Sequence, residues 1–83
     1  MTNDITPATV LDLILGQQIV EAAEPVTTTT DLFGLGLDSM AMMQLLLHIE
    51  ERFGIEVAPG EMTRDRFATA QALAAFLGDK AGH

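Results

Sequence analysis

The sequence predicts an all-α protein: a four-helix bundle with a long first loop and a short third helix. Three observations lead there. Apolar residues recur at helical spacing in separate segments, around Val10–Ile19, Met40–Phe53 and Leu73–Leu77. Helix start and stop residues flank those segments: Thr6-Pro7 before the first, Gly54 after the second, Thr69 and Gly78 around the last. Aromatics are scarce, with four Phe and no Tyr or Trp, so Leu, Ile, Val, Ala and Met must fill the interior, which suits helix packing. Eighty-three residues, 48% of them apolar, make one folded domain over 1–83, with residues 1–5 and 79–83 expected to fray.

Met1 to Ile5 is a short leader. Thr6 is a cap and Pro7 fits the first helical position, because its missing N–H would be unpaired there anyway. Val10, Leu13, Ile14 and Gln17 share one face, which Leu11, Leu15 and Ile19 widen, so the first helix is expected over 7–21. Gly16 weakens it by about 1 kcal/mol relative to Ala. From Ala23 to Asp38 no period holds, and Pro25 and Thr27-Thr28-Thr29-Thr30 read as extended loop. A structureless stretch of that length is long for a compact domain and is usually functional or pinned. Val26, Leu32, Phe33, Leu35 and Leu37 are the candidate pins.

The second helix, 39–53, has two apolar faces. At 100° per residue Met42, Leu45, Leu46, Ile49 and Phe53 form one stripe, and Met40, Met43 and Leu47 lie nearly opposite. Gln44, His48 and Glu51 lie beside or between them. Periodicity alone allows either a helix covered on both sides or an exposed docking patch, for which the long, polarizable Met side chain is suited. Gly54 is the expected C-cap. Ile55-Glu56-Val57 is a linker, Ala58-Pro59-Gly60 a turn, and Glu61 to Arg66 a single helical turn with Met62 inward. Phe67 anchors the next join. Thr69 caps a last helix over 69–77, carrying Leu73, Phe76 and Leu77, and Gly78 stops it.

The stretch Asp31-Leu32-Phe33-Gly34-Leu35-Gly36-Leu37-Asp38-Ser39-Met40 organises the chain. Ser39 sits where the irregular loop becomes the second helix. Asp38 or Ser39 can be an ordinary N-cap, since both side chains accept hydrogen bonds from first-turn N–H groups. The motif also resembles the phosphopantetheine attachment signature of the acyl and peptidyl (aminoacyl) carrier proteins. The resemblance is ungapped and extends to the following helix and the chain length. It departs mildly at Gly34, where a polar residue is frequent, and at Met40, where leucine is usual.

The resemblance implies an acyl-carrier-protein-like bundle that is not itself an enzyme. It implies that Ser39 is modified by a separate phosphopantetheinyl transferase using coenzyme A, with Asp38 recognised beside it. Cargo would be held as a thioester on the arm. An adenylating or acyl-loading enzyme and downstream acyl- or aminoacyl-transferring enzymes would dock on the loop before Ser39 and on Met40, Met43, Gln44, Leu47, Glu50 and Glu51. The chemistry of the position agrees. A helix N-terminus presents free N–H groups and the positive end of the macrodipole to a phosphodiester. Gly34 and Gly36 are expected to keep the preceding backbone open to close approach. Met62-Thr63-Arg64-Asp65-Arg66-Phe67 is similar to the corresponding part of stand-alone aminoacyl carriers, which favours an amino acid over a fatty or polyketide acyl chain.

Charge and composition bound the alternatives. Twelve acidic residues against four basic give a formal charge of −8, which excludes nucleic-acid binding through a basic patch and suits steering toward basic partners. No signal peptide and no apolar run of about 18 residues is present, so a cytoplasmic monomer without a membrane span is expected. Without Cys, a thiolate metal site or disulfide is impossible. A serine-hydrolase elbow fails, because Leu37 and Ala41 stand where glycines belong. A Ser39–His48 dyad fails on helical geometry. A calcium loop from Asp31 would place Phe33, Leu35 and Met42 at oxygen-ligand positions. Gly34 and Gly36 lack the third glycine and preceding strand of a dinucleotide fingerprint. The five Met and two His do not form a metal-ligand pattern. The rival from another class is a small helical adaptor that binds a partner through the Met stripe, with Ser39 an ordinary cap.

Overall fold

The computed structural model describes residues 5–20 and 25–81. Four α-helices and no strand occur among them: α1 (Pro7–Gly16), α2 (Ser39–Phe53), α3 (Arg64–Phe67) and α4 (Ala70–Ala81). Short 3₁₀ turns lie at Phe33–Leu35 and Pro59–Glu61.

α1 starts as the sequence suggests. The Thr6 hydroxyl accepts the Thr9 amide at 3.1 Å, and the Thr9 hydroxyl accepts the Thr6 amide at 2.9 Å. Two first-turn donors are thereby satisfied reciprocally. Its end differs from the expected residue 21, which lies outside the described residues. The helix stops at Gly16 in a Schellman motif: the Ile19 amide donates to the Ile14 carbonyl and the Gln18 amide to the Leu15 carbonyl. Gln18 takes the left-handed conformation (φ 55°) that glycine usually fills. The turn brings Ile19 and Val20 into the core, so burial of two large apolar side chains offsets the left-handed penalty of about 1–2 kcal/mol. Gln17, expected on the inner face, is exposed as the C-cap.

The first loop is pinned as expected at Leu32 and Leu37, both buried, while Val26, Phe33 and Leu35 are half-buried. Backbone bonds add to the pinning: the Leu32 amide donates to the Ala68 carbonyl at 2.7 Å, and the Gln71 amide to the Thr28 carbonyl at 2.9 Å. The loop is thus tied to the start of α4. α2 spans 39–53 and ends at Gly54, whose φ of 70° is left-handed.

The third helix falls later than expected. Residues 59–61 form a 3₁₀ turn, and after Met62 the chain extends at Thr63, which caps α3 by accepting the Arg66 amide at 3.3 Å. Met62 packs against the core and Phe67 is fully buried. α4 passes through Gly78 to Ala81, so Gly78 does not stop it and residues 79–81 are helical rather than a frayed end. Thr69 caps it through the Ala72 amide at 3.0 Å. Lys80, in its last turn, bonds both carboxylate oxygens of Glu61 at 2.9 Å. α1 and α3 pack on α4. The centre is filled by Val10, Ile14, Leu32, Leu45, Ile49, Phe67, Leu73 and Leu77, with no polar residue buried among those described.

Candidate functional site

The site is built where the pinned loop turns into α2. The 3₁₀ turn ends at Gly36, whose φ of 100° is a left-handed conformation that favours glycine. A Cβ on Gly34 would meet Asp31 Oδ2 at 3.5 Å, an ordinary contact. Gly36 alone of the two is therefore required by the backbone. From Gly36 the chain buries Leu37, and its amide returns to the Leu32 carbonyl at 3.1 Å. Asp38 follows in extended conformation as the N-cap.

The structure decides between the two candidate caps. Asp38 Oδ1 accepts the Ala41 amide at 2.8 Å. Ser39 is the first helical residue, exposed, and its hydroxyl has no hydrogen-bond partner among the described residues. Asp38 holds the helix start, which leaves the Ser39 hydroxyl free for chemistry. The amides of Ser39 and Met40 precede the first intrahelical bond, from Met42 to Asp38, and stay unpaired among the described residues. With the macrodipole they favour negative charge at this end. A phosphodiester on Ser39 fits the position: an accessible oxygen, free donors, and no large side chain at Gly36.

The two faces of α2 separate as the periodicity requires. Ala41, Met42, Leu45, Leu46, Ile49 and Phe53 are buried. Met40, Met43 and Leu47 are 72%, 51% and 64% exposed. The reading with α2 covered on both sides is thereby overturned. Met40, Met43, Gln44, Leu47 and Glu50 line one open groove of about 340 Å³. Glu51 does not line that groove but an adjoining depression that shares Gln44, Leu47 and Glu50 with it and adds His48, whose Nδ1 is 3.6 Å from Glu51. The far wall of the groove, Glu56, Val57 and Pro59, was not among the candidate residues. The alternation Ile55-Glu56-Val57 was the available signal, since it buries both flanking residues and turns Glu56 outward.

Titratable and metal-binding groups add little here. Among the described residues no group of His, Asp or Glu is arranged to hold a metal ion. No described helix is long and apolar enough to cross a membrane.

The family model of the phosphopantetheine attachment site matches residues 8–77. The chain belongs to that family. Its cofactor is the covalently attached phosphopantetheine that defines the family. The chain is 46% identical over 59 residues to the D-alanyl carrier protein of Listeria monocytogenes serotype 4a, covering 69% of this chain and 76% of that one. It is 36% identical over 56 residues to the aminoacyl carrier protein of Agrobacterium fabrum, covering 68% of each. A chain in the crystal structure of Bradyrhizobium japonicum glycine:[carrier protein] ligase complexed with glycylated carrier protein superposes with TM-score 0.69 at 25% identity. That match covers 87% of this chain and 97% of the other. The carrier-protein fold and carrier function expected from the motif are both borne out, and the adaptor reading gives way to them.

Proposed function

We propose that Ser39 carries the phosphopantetheine, and that the chain, as a single monomeric carrier domain, presents an amino acid as a thioester to the enzymes of a biosynthetic pathway. The observation that carries this reading is the free, exposed Ser39 hydroxyl at the start of α2, with Asp38 as the helix cap. The prosthetic group, when attached, supplies the terminal thiol that a chain without cysteine lacks. The protein residues then have two tasks. Ser39 and the first-turn amides hold the phosphodiester end, with Asp38 as the neighbouring recognition residue. Met40, Met43, Gln44, Leu47, Glu50 and Glu51 form the docking face.

In this reading the chain is not a catalyst. It raises the effective concentration of a tethered cargo at whichever active site it docks against. A phosphopantetheinyl transferase, an adenylating loading enzyme and a downstream aminoacyl-transferring enzyme are its partners, met in the cytoplasm. The amino-acid assignment is supported by relatives whose names specify D-alanyl and aminoacyl carriers and by the likeness to a glycylated carrier.

The test is intact mass after incubation with coenzyme A and a broad-specificity phosphopantetheinyl transferase. Wild type should gain one phosphopantetheine and Ser39→Ala none. A loaded Ser39→Ala variant would place the attachment elsewhere. Charging assays with amino acids and fatty acids then test the cargo, and efficient loading by long-chain fatty acids alone would overturn the amino-acid assignment.

A further inference from the structure

The tip of the far wall of the docking groove is tied to α4 by one distant ion pair. The connection from α2 to α3 enters the core at Ile55 and Val57 and returns to it at Phe67, with Met62 half-buried between. The groove-lining tip, Pro59 and its neighbours, lies between those anchors. The tip is folded by its own 3₁₀ turn, with the Glu61 amide on the Ala58 carbonyl at 2.8 Å and the Met62 amide on the Pro59 carbonyl at 3.1 Å. What ties it to the bundle converges on Glu61. Its Oε1 accepts the Ala58 amide at 2.9 Å, across the base of the turn. Both carboxylate oxygens accept Lys80 Nζ from α4 at 2.9 Å. Its backbone carbonyl accepts Arg66 Nη1 from α3 at 3.0 Å, and the Arg66 guanidinium lies over the Phe76 ring, 4.5 Å from its centroid. Glu61 and Lys80 stand nineteen residues apart, and their side chains are about one-third exposed, 32% and 29%.

We infer that the Glu61–Lys80 pair positions the wall of the groove opposite Met40, Met43 and Leu47, so that both are positioning residues for partner recognition although neither lines the groove. The inference rests on the docking reading above. It follows from geometry: Val57 is held by the core, Lys80 fixes Glu61 against α4, Glu61 fixes Ala58, and the Ala58–Pro59 peptide sets how far Pro59 stands from α2. A second cation on the same residue, Arg66, holds the backbone rather than the carboxylate, so loss of Lys80 loosens the tip without releasing α3.

The experiment compares wild type, Lys80→Met and Lys80→Arg. Backbone amide hydrogen exchange is followed through residues 56–62, with the kinetics of loading by a broad-specificity phosphopantetheinyl transferase and coenzyme A, taking the carrier as the varied substrate. Lys80→Met should speed exchange in 56–62 and not in α2. It should raise KM for the carrier about two- to fivefold, the range for a partly exposed ion pair, with kcat within about twofold. Lys80→Arg, which keeps the cation, should restore both. Unchanged exchange at 56–62, an unchanged KM, a fall confined to kcat, or no rescue by Lys80→Arg would each overturn the inference. A wild-type chain that gains no mass would sink the attachment reading and the recognition role together. Normal wild-type loading with a silent Lys80→Met sinks the positioning role alone.

Discussion

Assigning the cap to Asp38 and the free hydroxyl to Ser39 makes the two neighbours separable by mutation. In Asp38→Ala the Ala41 amide loses its acceptor at 2.8 Å, and the first turn loses its only side-chain partner among the described residues. Losing such a cap costs about 1 kcal/mol, within a range of about 0.5–2. For a domain of this size each kcal/mol moves the melting temperature by about 4–8 °C. Ser39→Ala removes an exposed oxygen with no partner, so its effect should stay within about 0.5 kcal/mol. Thermal melts followed by far-UV circular dichroism, run beside intact-mass measurements, give the comparison. The expected pattern is crossed: Asp38→Ala melts several degrees lower, and Ser39→Ala melts like wild type but gains no prosthetic group. Asp38→Asn separates the cap from its charge, because Asn caps about as well as Asp. It should keep most of the stability. A Ser39→Ala loss as large as that of Asp38→Ala would refute the assignment and return Ser39 to the role of an ordinary cap. An Asp38→Asn variant as unstable as Asp38→Ala would make the charge against the helix dipole, not the hydrogen bond, the stabilising term.

Three further outcomes follow from the same geometry. Met43→Glu, at a position 51% exposed, should raise the transferase KM about tenfold while leaving the melting temperature nearly unchanged; a large thermal loss would place Met43 in the core. Gly54→Ala should cost about 1–2 kcal/mol from the left-handed backbone alone, since a Cβ there meets open space; a neutral result in denaturant titration would contradict the φ of 70°. The Glu61 carboxyl is held below its ordinary 4.5 by the Ala58 amide first and Lys80 second, so its stabilising contribution is present above pH 4.5 and lost as pH falls through the lower folded value. The melting-temperature gap between wild type and Glu61→Gln should therefore close on acidification below 4.5, and a gap that widens would reverse the sign.

Much of this was legible where one strong local signal acts alone. α2 starts at Ser39 and ends at Gly54 because an Asp–Ser pair and a glycine punctuate a long apolar period, and its two stripes separate into a buried and an exposed face. Leu32 and Leu37 pin the loop as two large apolar side chains of a glycine-punctuated stretch, although Phe33 and Leu35 of the same stretch are buried only in part. The misread ends have a common cause. At Gln18 a residue with no special tolerance for positive φ does what glycine usually does, because burial of Ile19 and Val20 repays it. At Gly78 a residue that usually ends helices lies inside one, because Leu77 is fully buried and Lys80 reaches Glu61. In both places a contact distant in sequence outweighs local propensity of about 1 kcal/mol. At the groove wall the alternation Ile55-Glu56-Val57 shows that Glu56 turns outward, but that Glu56, Val57 and Pro59 face α2 depends on how the connection folds back. Thr63, by contrast, was a readable cap for α3, with Asp65 in the first turn behind it.

The placement of Ser39 and the exposed stripe on one helix explains why a carrier needs so little else. Along α2, Met40 follows Ser39 directly and Met43 and Leu47 lie about one and two turns on, so a partner touching Leu47 sits about 12 Å along the axis from Ser39, at 1.5 Å per residue. In the proposed docking mode that spacing cannot drift, because Leu45, Ile49 and Phe53 lock the opposite face into the core. Recognition and delivery are then one geometric event: seating the stripe fixes where the arm begins. Charge has a separate task. In that reading the formal charge of −8 steers the carrier toward basic surfaces from a distance, while contact itself rests on the groove, which has Glu50 and Glu56 among its lining residues. On the proposed function, steering by charge and seating by apolar contact would let one small surface meet several enzymes in turn, since the long-range part is unspecific and the Met side chains can repack against each partner.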